Sequence, residues 1–135
     1  MNVFCLSQFK IEVEKLRRKN SYSSIDSDII DNFINKTIQE VQNGTRLNGN
    51  NINPYIKKRL DGRGGFRVYF LLIIHKNSVY LMFVHPKTGA SGSDNINDNF
   101  KKSLYKDAIE AIETNNLFSV SSNEKGDMLV FNPME

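Results

Sequence analysis

Residues 55–74 read YIKKRLDGRGGFRVYFLLII. The block VYFLLII at 68–74 is the longest apolar run in the chain. It falls well short of the roughly 18 residues that cross a bilayer, and it suits a buried strand. The basic half before it, YIKKRL, also reads as a strand, and the glycine-rich segment 61–65 reads as the turn between the two. Side chains alternate across a strand. Ile56, Lys58 and Leu60 therefore share one face, and Tyr55, Lys57 and Arg59 the other. In the next strand Phe66, Val68 and Phe70 share a face, and Arg67, Tyr69 and Leu71 lie opposite. Pairing the strands through the turn can gather Lys57, Arg59 and Arg67 on one surface, with Tyr69 beside them and Arg63 in the turn itself.

Three clustered cations repel one another unless an anion sits among them. Phosphate is the natural candidate, because an arginine fork matches two phosphate oxygens at once. Gly62, Gly64 and Gly65 would let backbone approach such a ligand closely. The same alternation also describes a solvated cationic sheet face, and the spacing alone leaves both readings open.

Downstream, His75, Lys76 and Asn77 read as a tight turn into a further strand at 78–84. The stretch VYLMFVHPKTG ends in His85, Pro86 and Lys87 before a glycine-serine loop. A histidine at a strand end beside a loop is placed to move protons, since imidazole titrates near neutrality. A strand-end histidine held by its turn is the plainer alternative. A helix follows over 97–114, with Phe100, Leu104, Ala108, Ala111 and Ile112 on its apolar face. The tail, 117–135, adds a short strand at 128–131 or is loosely held.

Upstream, NVFCL at 2–6 is β-like. Ser7 is placed to cap a helix carrying Phe9, Val13 and Leu16, which ends in Arg17, Arg18 and Lys19. Ser23 or Ser24 starts a second helix, with Asp26 and Asp28 in its first turn and apolar spacing through Val41. Gly44 is its expected stop, and a polar, turn-rich loop fills 43–54. The order β-α-α-β-β-β-α predicts an α+β domain over residues 1–116. Its expected architecture is an antiparallel sheet with an N-terminal helical hairpin and a C-terminal helix packed on it, followed by a C-terminal extension over 117–135.

Composition narrows the function classes. The 135 residues suffice for one core. Eighteen basic against fifteen acidic residues give a net charge of +3, a mild hint of a polyanionic partner. The single cysteine, Cys5, offers no disulfide framework and reads as a buried, inert thiol. The N-terminal residues lack a signal-peptide pattern, so a cytoplasmic protein with no membrane partner is expected. Two histidines and one cysteine, far apart, match no zinc spacing. No acidic set of a magnesium-dependent nuclease and no nucleophile elbow is present, and the glycines near 62 do not follow the strand-loop-helix order of a nucleotide-binding loop. Phosphodiester chemistry here is expected to need no metal or other cofactor.

Over residues 3–113 the chain resembles the RelE/ParE superfamily of toxins from type II toxin-antitoxin systems, and the RelE/HigB side more than the ParE side. The resemblance starts with the first strand and SQFKIEVEKLRRKNS, and its most specific part is YIKKRLDGRGGFRVYFLLI, which looks like the family's K-x-R-L, G-G-x-R-V and apolar strand. VYLMFVHPKTG is similar to the last core strand and the lysine after it. Segment 61–65 is shorter than the basic loop of the closest relatives, and the tail past 116 is longer. The resemblance implies a toxin that cleaves mRNA on the ribosome without metal, inhibits translation and is neutralised by a cognate antitoxin. By motif position, Lys57 and Arg59 match the basic strand pair, Arg67 the arginine after the double glycine, and Lys87 the lysine after the last strand. Arg67, Lys87 and His85 would then be catalytic, with Lys57, Arg59, Arg63 and Tyr69 binding substrate. A ParE-like gyrase inhibitor and a non-catalytic RNA- or protein-binding module are the alternatives.

Overall fold

A strand that is apolar on both sides needs cover on both sides. Tyr69 and Leu71 alternate with Phe70 and Leu72 along the central strand, and all four side chains are fully buried. The computed structural model, which describes residues 1–60, 65–86 and 96–134, supplies that cover with helices on each face of one sheet.

The elements run β1 (Asn2–Cys5), α1 (Ser7–Leu16), α2 (Ile25–Phe33), α3 (Ile38–Val41), β2 (Thr45–Arg46), β3 (Tyr55–Leu60), β4 (Phe66–Ile73), β5 (Ser78–Pro86), α4 (Asp98–Thr114), β6 (Phe118–Ser122) and β7 (Leu129–Pro133). They build a seven-stranded sheet in the order β2-β3-β4-β5-β1-β6-β7. β1 lies parallel to β5, and every other neighbouring pair is antiparallel. One core joins Phe9 and Val13 of α1, Ile25, Ile29 and Phe33 of α2, and Val41 of α3 to Ile56, Val68, Phe70, Leu72, Val79 and Leu81. A second core lies on the opposite face, where Leu104, Ala108 and Ala111 of α4 meet Tyr55, Tyr69, Leu71, Tyr80 and Met82.

This architecture corrects the expected one in three respects. The sheet is mixed and seven-stranded, because β1 inserts parallel to β5 and the tail adds β6 and β7 beyond it. The helix expected at the C-terminal end of the fold is followed by two strands, and it packs on the face opposite α1 and α2. In place of the expected two-helix hairpin the N-terminal part holds three helices packed on the sheet, because the apolar period from Ile25 to Val41 spans a break. Asn35 takes a left-handed conformation (φ 59°) that ends the first segment, and Thr37 and Glu40 then build a reciprocal cap for the short α3. Gly44 is also not a helix stop. It takes a φ of 126°, and a Cβ placed there would meet the Lys57 carbonyl oxygen at 2.6 Å, so glycine lets the chain press against β3.

The β6–β7 ladder is joined to the helices through Asp26. Arg17 donates to Asp26 from Nε (3.1 Å) and Nη2 (2.6 Å), and the Leu129 backbone N–H donates to the same carboxylate at 3.0 Å. Asp26 is buried, and one carboxylate thus ties α1, α2 and β7. Ser7 begins α1 but makes no capping bond; Leu6 occupies the cap position.

Candidate functional site

The ladder registers decide which cations meet. Lys57 pairs with Tyr69 and Arg59 with Arg67 across β3 and β4. Arg67 pairs with His85, and Tyr69 with Phe83, across β4 and β5. Directly opposed residues project to the same face. Two rows therefore cross the sheet on the α4 side: Arg59, Arg67 and His85, and beside it Lys57, Tyr69 and Phe83.

His85 reaches this face through an irregularity. The register jumps between Tyr69 opposite Phe83 and Phe70 opposite Leu81, which leaves Met82 as an extra residue in β5. Val79 and Leu81 pack in the α1-side core, so strict alternation would send Phe83 and His85 there as well. The bulge resets the parity. Met82 and Phe83 both turn to the α4 side, where Phe83 stacks with His85 (centroids 6.3 Å) and meets Phe100 of α4 (5.1 Å).

Electrostatics single out two atoms. The Tyr69 side chain is fully buried, yet its hydroxyl has no hydrogen-bond partner of good geometry among the described residues. Burial pushes its pKa up, partly offset by the nearby Ile96 main chain and the Arg67 charge. Nη1 of Arg67 is likewise buried and unpartnered among the described residues. Buried polar groups are nearly always satisfied, and each exception calls for a missing partner. Lys57 is held below the usual lysine range by burial first, and then by the charges of Arg67 and Lys101. Lys58 points the other way, with its ammonium 5.8 Å from the Phe33 ring centre.

Of the residues expected at a site, Lys57, Arg59, Arg67, Tyr69 and His85 thus share one face. Arg63 and Lys87, with Gly62 and Gly64, lie outside the described residues. His75 sits in the turn after β4, at the opposite end of that strand from Arg67. Sequence reasoning missed Lys101 and Phe83; Phe100, expected on the apolar face of the helix, meets Phe83 there with its ring 40% exposed. Lys101 carried a signal: a cation in the first turns of a helix faces the positive end of the dipole. Its ion pair with Asp98 is long, at 3.7 Å.

Among the described residues no three His, Cys, Asp or Glu side chains group as a metal-ligand set, and no helix is long and apolar enough to cross a membrane. No protein-family model matches the chain, and no curated protein matches it.

Proposed function

We propose that the α4 side of β3, β4 and β5 binds an RNA phosphate and that the chain is a metal-independent endoribonuclease, an mRNA-cleaving toxin as its resemblance to the RelE/HigB toxins implies. One observation carries the reading: Arg67, between Arg59 and His85 in the ladder, has a buried guanidinium nitrogen with no partner among the described residues. A phosphate oxygen would accept from the Arg67 nitrogen and bring a counter-charge to it. The support is the chemistry of the row, not the frame, which differs from the one the resemblance implied.

In the proposed reaction the ribose 2′-oxygen attacks the adjacent phosphorus and the bond from phosphorus to the 5′-oxygen breaks. A base takes the 2′-hydroxyl proton, and an acid protonates the departing 5′-oxygen. The products are a 2′,3′-cyclic phosphate and a free 5′-hydroxyl. Arg67, Arg59 and Lys57 would hold the phosphate and stabilise the added negative charge of the five-coordinate transition state. His85 stands at the end of the row as the proton carrier, a task the resemblance shares with Lys87. A cognate antitoxin would cover this face with an acidic segment.

The test is incubation of the purified protein with mRNA-programmed ribosomes in EDTA. Cleavage to cyclic-phosphate and 5′-hydroxyl ends supports the proposal. Intact mRNA, or cleavage that stops on chelation, removes it.

A further inference from the structure

A cleft of about 740 Å³ opens beside the cation row, lined among others by Arg46, Asn48, Tyr55, Lys101, Lys102 and Tyr105. Resting on the RNA-binding reading above, we propose that this cleft is a subsite for the single-stranded nucleotides that flank the phosphate held by Arg67. A base stacks on Tyr105 there, and Arg46 and Lys102 hold the neighbouring phosphates.

The walls are built in advance. The Asn48 side chain donates to the Asn53 carbonyl (3.1 Å) and accepts from the Tyr55 N–H (3.0 Å). Asn50 Oδ1 accepts from the N–H groups of Ile52 and Asn53, both at 2.9 Å. These bonds hold the loop before β3 as a fixed wall. The opposite wall is α4, started by the Asn97 side chain, which accepts from the Phe100 N–H at 2.8 Å. The Tyr55 hydroxyl donates to the Lys101 carbonyl at 3.0 Å, and this bond pins the two walls across the floor. A site that needs no ordering on binding retains more of its contact energy.

Its chemistry suits a polyanion with a flat base. Among the described residues three cations line it against one carboxylate, Asp98, whose side chain is 90% exposed and is already engaged by Lys101. The Tyr55 and Tyr105 rings lie 5.7 Å apart at 36°, with Tyr55 buried and Tyr105 half-buried. Stacking on such a ring requires an unpaired base, as single strands offer. The cleft also adjoins the cation row. Lys101 lines it, and its charge acts on Lys57, which pairs with Tyr69 in the ladder. A strand anchored on Arg67 would thus continue past Lys57 and Lys101 into the cleft.

The experiment measures binding of 2′-O-methyl RNA, which cannot be cleaved, as an octamer and as a dinucleotide. It compares the full chain with Tyr105→Ala, the pair Arg46→Ala/Lys102→Ala, and Arg67→Met. Arg46 and Lys102 are exposed, so the doubly substituted chain should fold. The cleft predicts that Tyr105→Ala weakens octamer binding about tenfold, the order of one lost base stack. The double variant lowers the salt slope of octamer binding by about 0.7 for each cation removed. Both leave dinucleotide binding unchanged, whereas Arg67→Met weakens both ligands. Octamer affinity and salt slope at the unsubstituted level in both cleft variants, with loss only in Arg67→Met, overturns the cleft and leaves the cation row standing. Failure of the unsubstituted chain to bind either RNA overturns both.

Discussion

Arg67 stands directly opposite Arg59 in the β3–β4 ladder. Like charges at such positions destabilise a sheet by a few tenths to about 1 kcal/mol. Burial, and after it the charges of Arg67 and Lys101, holds the neighbouring Lys57 below the usual lysine range. A fold keeps such an arrangement where function asks for it, and stability and activity then pull in opposite directions.

Arg67→Met separates the two. The methionine keeps the aliphatic bulk and removes a partly buried charge. The melting temperature should stay level or rise, while cleavage falls about a hundredfold or more, the scale of losing one oxyanion-stabilising donor. Thermal melts and initial cleavage rates on the same preparation check both halves. A large drop in melting temperature would mean that Arg67 serves the fold.

Asp26 is the reverse case, a buried charge kept for structure. Asp26→Ala leaves Arg17 and the Leu129 N–H without their acceptor. The expected loss is about 3–5 kcal/mol. The paired change Arg17→Met/Asp26→Leu should recover much of it, because no lone charge stays buried. Urea unfolding of the single and paired variants measures the difference, and equal losses would show that the ion pair is incidental.

Gly44→Ala tests the contact between the β2 turn and β3. The new methyl would meet the Lys57 carbonyl oxygen at 2.6 Å and Ile56 Cγ2 at 2.8 Å, in a backbone conformation that side chains rarely adopt. The strain is on the order of 1–3 kcal/mol, and it bears on the strand that carries Lys57. Lower stability with weaker RNA binding is expected, and an unchanged denaturation midpoint would contradict it.

Alkaline pH should weaken the fold. Burial pushes the Cys5 thiol from 9.0 up to about 12, and it also raises Tyr55, Tyr69 and Tyr80 above their ordinary 10.0. In each case the unfolded chain releases its proton first. Between the two values the folded state binds more protons, so stability falls as pH rises. Lys57 and Lys58 are lowered and act with the opposite sign below 10.5, but both are partly solvated. Urea midpoints should decline from about pH 9 upward, first through Cys5, and the Cys5→Ala chain should show a smaller early decline. The native thiol should also resist alkylation until unfolding. A flat profile to pH 11, or a thiol that reacts in the native chain, would contradict this burial.

The cation row shows how far sequence carries. Lys57, Arg59 and Arg67 were legible because β3 and β4 alternate without interruption, and their register follows from that alternation. His85 was named from its place at a strand end, but its side was not legible, because that depends on the bulge at Met82, which no residue of VYLMFVHP announces. The two-sided burial of β4 was written in VYFLLII, but nothing local said that α4 would cover the second face. The break after Phe33 hid inside a continuous apolar period, although TIQE at 37–40 spells the capping box that restarts the helix. Lys101 joins Lys57 only through tertiary packing, so spacing along the chain could not pair them.

The most direct measurement of the central claim is a salt titration of uncleavable 2′-O-methyl RNA binding to the unsubstituted chain and to Arg67→Met. The account predicts at least tenfold weaker binding in the variant, with the slope against log salt smaller by about 0.7, as for one lost phosphate contact. Equal affinities and equal slopes would mean that the arginine row is solvated surface, and the RNA-binding reading would be lost with it.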